Sequence, residues 1–300
     1  MTSPEPVTLS LDAMATRFEI VLHGADPARL RAAGEEALEE ICTLDRQLSL
    51  YRPDSDISRI NARAARHPVK LDPRLFRLLQ HASEISRATD GAFDITIAPL
   101  MRAWGLAGGD GHVPSEAQLA EARARVGMDL VHLDESDFTV AFEREGVEID
   151  LGAIGKGYAI ERAVETLTQN GVESALIHGG TSTIYAIGTI PGGEPWRVGI
   201  QKPSPEDTLL RTVELRDGSL SVSASHGKSF VHEGREYGHV IDPRTGRPSD
   251  CAVLAAVWGP SPAETDTLST ALLALGEPGL DMLRGGFAEY HGLVVAQDVE

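Results

Sequence analysis

Apolar and polar residues alternate through TRFEIVLHG (residues 16–24), the period of a strand with one buried face. The period then lengthens. In DPARLRAAGEEALEEICTLDRQLS the apolar positions Leu30, Ala37, Ile41, Leu44 and Leu48 fall on one side of a long helix. Asp72 before Pro73 predicts a second helix to about Ala88, because Asp caps free N–H groups and proline suits the first turn. Ser115 repeats that logic for PSEAQLAEARARVG, a helix expected to end at Gly127. Short strands are expected at 130–133, 138–142 and 147–149.

Residues 157–171 read as helix. ESALIHGG, TIYAIG, WRVGIQ, RTVELR and SLSVSAS then read as consecutive strands with turns between them. SPAETDTLSTALLALG is the last strong helix. Mixed elements followed by a run of strands favour an α+β fold over a doubly wound parallel sheet.

The 300 residues carry a formal charge of −18, which argues against a broad nucleic-acid footprint and against attraction to anionic membranes. An anionic ligand would need a local cation or a helix N-terminus. Cys42 and Cys251 form no metal pattern; Cys42, beside Leu38 and Ile41, reads as a small buried hydrophobe. Residues 1–12 are read as an extension ahead of one domain spanning 13–300. They include Pro4 and Pro6 and lack a basic region, an apolar core and a lipid-attachment cysteine, so a cytoplasmic location is expected. No apolar run is long enough for membrane insertion.

Four segments carry unusual residue choices. In VEIDLGAIGKGYAIERAVETL a Gly-x-x-Gly-Lys-Gly run opens a helix, but its spacing and missing Ser or Thr exclude a Walker loop. Lys156 falls on the side of Ile160, Val164 and Leu167. A lysine there either meets an anion or snorkels to water. In the last helix Asp266 and Thr270 lie one turn apart, opposite Leu268, Ala271, Leu272 and Leu275. They either face solvent or offer hard oxygen ligands suited to magnesium. GHVIDPRTGRPSD holds Asp242 extended before Pro243 and then turns tightly, which puts His239 near a strand end. Tyr51 and Phe93 could stack on a ring, with Asp94 accepting hydrogen bonds from it; the alternative is core aromatics and a turn carboxylate.

Taken together and in order, AMATRFEIVL, LSLYRPDSDISRIN, GAFDITIAPLMRAWG, IDLGAIGKGYAIE, HVIDPRTGRP and ETDTLSTALLALG resemble the ApbE-type FAD:protein FMN transferases. The resemblance implies an α+β fold of two related αβ subdomains in one unit. It also implies an activity that cleaves FAD, attaches FMN through a phosphoester to a Thr or Ser of a target flavoprotein, and releases AMP. By motif, Met14 and Tyr51 would contact the flavin ring, with Ala92, Phe93 and Asp94 lining the same pocket. Asp150, Lys156 and Ile241 would contact FAD. The carbonyl of Ala153 and the side chains of Asp266 and Thr270 would hold magnesium. His239 resembles the residue that activates the acceptor hydroxyl.

The chain departs from the family pattern in three places. Thr181 follows Gly179 and Gly180 where the family usually has an acid, SASHG (residues 223–227) replaces a frequent Thr-Ser-Gly-Asp, and Glu161 replaces a frequent Asp. FAD hydrolysis to FMN and AMP, or noncatalytic flavin binding, are the alternative readings.

Overall fold

The computed structural model of the protein describes residues 5–202, 208–225 and 229–297. Strands β1 (Val7–Ala13) and β2 (Thr16–Leu22) pair antiparallel along their full length. Residues 7–12, read from sequence as an extension, are therefore part of the main sheet. The two-residue turn between these strands holds Met14 and Ala15 at φ 50° and 57°. Such a turn matches strand twist but costs a non-glycine residue roughly 1–2 kcal/mol. Asp45 supports it by accepting from the Met14 N–H at 2.7 Å.

Helix α1 (Pro27–Leu48) begins as expected, with the Asp26 carboxylate accepting from Ala28 and Arg29 N–H. There follow α2 (Asp56–Arg63), β3 (Val69–Lys70), α3 (Pro73–Ala88), α4 (Ala98–Ala103) and α5 (Glu116–Arg123). The last has a capping box between Ser115 and Gln118, and ends before Gly127. Strands β4 (Val131–Asp134) and β5 (Thr139–Phe142) join β3 in a small sheet.

The strand expected at 147–149 is absent. Asn61 supplies the reason: its side-chain oxygen accepts from Ile149 N–H at 2.8 Å and its amide donates to Ile149 C=O at 2.9 Å. One side chain does the work of a ladder partner.

Helix α6 (Gly155–Gln169) leads into β6 (Ser174–Gly179), β7 (Thr183–Gly188), β8 (Trp196–Gln201), β9 (Leu209–Leu215) and β10 (Gly218–Ala224). The short hairpins β11 (Ser229–His232) with β12 (Arg235–Gly238), and β13 (Ile241–Asp242) with β14 (Arg247–Pro248), come next. The chain closes through β15 (Ala252–Gly259), α7 (Pro262–Leu275), α8 (Gly279–Gly286) and β16 (His291–Ala296). Among the described residues no helix is long and apolar enough to cross a membrane.

The main sheet runs β1-β2-β6-β7-β10-β15-β16, every neighbour antiparallel, as an α+β fold requires. Helices α1, α6 and α7 cover one face, and the β8–β9 hairpin covers the other through Trp196, Ile200, Val213 and Leu215. Strand β10 has an inverted polarity: Leu220 and Val222 meet the hairpin, while its serines lie under α7. Ser219 and Ser221 each bond Thr265 Oγ1, at 2.8 and 2.9 Å, so these hydroxyls are buried at little cost.

Candidate active site

The site forms where α6 crosses α7. Gly157 N–H belongs to the first turn of α6 and has no carbonyl one turn back within the helix. It donates to Asp266 Oδ2 at 3.0 Å. Asp266 is only 3% exposed, and its other oxygen accepts from the buried Thr183 hydroxyl at 3.0 Å. Lys156 Nζ stands 3.5 Å from that same Oδ1 and 3.4 Å from the Gly152 carbonyl. The contact between the helices is close. A Cβ on Gly157 would meet the Pro262 carbonyl oxygen at 2.1 Å.

One helical turn beyond Asp266, Thr270 Oγ1 lies 3.2 Å from the Asp266 backbone carbonyl and 3.4 Å from Ser223 Oγ. Among the described residues the Ala153 carbonyl takes no hydrogen bond. One buried carboxylate, one hydroxyl and one free carbonyl make an oxygen-only set that fits magnesium chemically. Among the described residues no three His, Cys, Asp or Glu side chains are grouped to hold a metal.

Asp150 sits at the head of the same loop. Its N–H donates to Ile95 C=O at 2.7 Å, and its carboxylate accepts from Gly152 N–H at 2.8 Å. Burial pushes its pKa up; the Gly152 bond, Arg102 and Lys156 act against that rise. Tyr51 is 69% exposed. Desolvation first, and the neighbouring Asp150 second, raise its phenol above the usual range.

His239 lies between β12 and β13, partly buried. Its segment is held on two sides. Tyr237 and Phe230 stack at 5.3 Å and pack on Trp104 of the α4 end, whose indole N–H donates to Gly246 C=O at 2.8 Å. The following turn closes as expected: Gly246 N–H donates to Asp242 C=O, and the Asp242 carboxylate takes three Arg244 donors at 2.9 Å. Gly238 also lies against Ser225 at the end of β10. That contact brings Ser225, in the altered segment, beside the residue preceding His239; His226 and Gly227 lie outside the described residues.

The sequence matches the family model described as ApbE family over residues 14–290. The chain belongs to the ApbE family. An FAD:protein FMN transferase of Vibrio cholerae is 30% identical over 282 residues, covering 91% of this chain and 82% of the relative. One from Salmonella typhimurium is 29% identical over 281 residues, covering 91% and 80%. The ApbE crystal structure from Thermotoga maritima superposes with a TM-score of 0.89 at 28% identity, covering 97% of this chain and 94% of that one. The apo flavinyl transferase ApbE of Pseudomonas stutzeri gives 0.86 at 30%, covering 100% and 93%.

Within this ApbE architecture, the motifs far apart in sequence meet. Hydrogen bonds or close contacts join GAFDITI to IDLG, IDLGAIGKG to ETDTLST, and ETDTLST to SAS. Ala92, Phe93 and Ile241 have their side chains in the core instead. Asp94 is buried and already accepts from Thr96 N–H, Thr96 Oγ1 and Met128 N–H, and burial raises its pKa despite these bonds.

Thr181 is exposed, while Glu161 accepts from the Ser261 hydroxyl at the N-cap of α7. Cys42 is only partly buried and Cys251 is exposed. Sequence reasoning missed Thr183, the contact of Ser223 with Thr270 and the packing role of Gly157. Gly157 was visible in GKG, but Thr183 lies in an ordinary strand and carries no local signal.

Proposed function

We propose that this ApbE family member transfers FMN from FAD to a Thr or Ser hydroxyl of an acceptor flavoprotein, with magnesium, releasing AMP. The family membership and the names of its relatives support the transfer. The observation that carries the site assignment is the convergence on Asp266 of Gly157 N–H, Thr183 Oγ1 and Lys156 Nζ.

Ala153 C=O, Asp266 and Thr270 would hold the metal, which when bound neutralises pyrophosphate charge and favours departure of AMP. Gly157 N–H and Thr183 fix the Asp266 carboxylate. Lys156, close to Asp266 and at the head of α6, would turn its ammonium to the phosphates. Met14, presented by a strained turn, and the exposed Tyr51 would bracket the isoalloxazine, with Ala92, Phe93 and Asp94 shaping the loop behind it. Asp150 would contact FAD, and Ile241, whose side chain is in the core, would do so through its backbone. His239 would accept the proton of the acceptor hydroxyl as oxygen attacks phosphorus. The oxygen–phosphorus bond to the acceptor forms, the pyrophosphate link breaks, and AMP leaves.

The test is incubation of the pure protein with FAD, magnesium and a Thr-containing acceptor, following AMP and acceptor mass. Transfer gives AMP together with an FMN-sized gain. AMP alone would replace this reading with hydrolysis, and bound FAD with neither product would leave only flavin binding.

A further inference from the structure

Away from Asp266, two adjoining cavities of about 500 and 360 Å3 open where the β8–β9 hairpin meets the outer end of the main sheet. Arg197, Arg211 and Glu214 line the first; Arg284 and His291 line the second; Arg211 and Trp258 belong to both. The Arg211 guanidinium lies 4.7 Å from the centre of the Trp258 ring, and His291 packs on that indole at 5.6 Å. Arg197 pairs with Glu214 and Arg284 with Asp281. Among the described residues Arg211 has no carboxylate partner. In a chain of charge −18, a guanidinium held over an indole between two cavities is suited to an anion.

The adjoining strand offers a second kind of recognition. β16 ends the sheet and pairs only with β15, so its outer edge bears no strand among the described residues. Natural edges are commonly blunted by lysine, proline or inward charges, and HGLVVA has none of these. The strand starts opposite Trp258, at the cavities, and ends opposite Ala252. Six residues carry it roughly 20 Å. Its far end approaches the end of the sheet where Val253 C=O accepts from Ser225 N–H and where Ser223 meets Thr270. The open edge thus leads from the basic cavities towards the candidate active site.

We infer that β16 is a docking edge for an extended acidic segment of the acceptor protein, which adds as a further strand and places a carboxylate on Arg211. The identity of the partner rests on the transferase reading above. A main-chain edge recognises another polypeptide rather than a small anion, and a guanidinium without a carboxylate partner among the described residues selects an acidic one.

The probe is a fluorescein-labelled ten-residue peptide alternating Glu and Thr, with a Lys and Thr counterpart, titrated onto the whole protein without FAD. The Glu peptide is expected to bind, to slow amide exchange at 291–296, and to bind more weakly as salt is added. Repulsion by the overall charge alone would give the opposite salt trend. Arg211→Gln with Arg284→Gln should weaken binding at least tenfold at unchanged melting temperature. Equal binding of the Lys peptide, no slowing at 291–296, no effect of the double variant, or β16 protection from self-association without peptide would each overturn the proposal. With an acceptor protein, the same variant should raise its KM at unchanged kcat. Because the peptide experiment uses no FAD, failure of transfer by the wild-type protein would count against the activity and not against the edge.

Discussion

The backbone N–H of Gly157 donates to the carboxylate of Asp266 at 3.0 Å, and the same glycine leaves no room for a side chain between the two helices. Recognition of the carboxylate and close packing are one feature. The residue after Lys156 lacks a Walker hydroxyl because α7 occupies the space that such a side chain would need.

This geometry decides between two opposing effects of Gly157→Ala. Helix propensity alone would favour alanine by about 1 kcal/mol. A Cβ, however, would stand 2.1 Å from the Pro262 carbonyl oxygen and 2.8 Å from Ala263 Cα, and backbone cannot rotate aside. Overpacking of this kind costs about 1–3 kcal/mol or more, so the variant should be less stable and lose turnover. Urea denaturation checks it; a higher midpoint than wild type would refute the packing account.

Thr183→Val keeps the side-chain shape but removes a donor from the buried Asp266 Oδ1. Oδ1 keeps Lys156 nearby but loses a hydrogen bond to a charged group, worth about 1.5–3 kcal/mol, and loss of an outer partner typically weakens metal binding about 10–100-fold. Calorimetric titration with magnesium should show the weakening, and Thr183→Ser should restore it. Equal affinities of the valine and serine variants would separate Thr183 from the metal site.

Tyr51 should behave oppositely, affecting ligand more than fold. Because it is 69% exposed, Tyr51→Ala should change stability by less than about 0.5 kcal/mol. Loss of one aromatic face should weaken FAD binding by about 0.5–1.5 kcal/mol. Flavin fluorescence titration measures the second quantity and thermal denaturation the first.

Asp150 links pH to stability. Its folded pKa is raised, chiefly by burial, so the folded state holds the proton more tightly than the unfolded chain. The stability this confers is full below the ordinary carboxylate value, near 4, and is lost as pH rises through the folded value. Asp150→Asn, which can still accept from Gly152, should therefore melt higher than wild type near pH 7.5 and no higher near pH 3.5. It should also bind FAD less well. A wild-type advantage at pH 7.5 would contradict the burial argument.

Much of this fold is legible in the sequence because local chemistry and tertiary structure agree. Asp26, Asp72 and Ser115 cap the helices that they announce, and β7 covers the TIYAIG segment that alternation marks. Legibility fails where a partner distant in sequence decides the outcome. Val147 and Ile149 alternate like a strand, but Asn61 satisfies Ile149 in place of one. β15 is almost continuously apolar because helices cover one face and the hairpin the other, so no period reveals it. Asp266 and Thr270 look like the wet side of an amphipathic helix until α6 and β10 close over α7. Thr183 becomes visible only in three dimensions.

The most direct test of the central claim, that the α6–α7 crossing is the reacting centre, is the mass of an acceptor protein incubated with FAD, magnesium and either wild-type protein or Asp266→Ala. Wild type should add one FMN to an acceptor Thr or Ser and lose this activity when magnesium is chelated. The variant should give no adduct while its circular dichroism remains that of a folded protein. An adduct formed equally fast by folded Asp266→Ala would contradict the assignment.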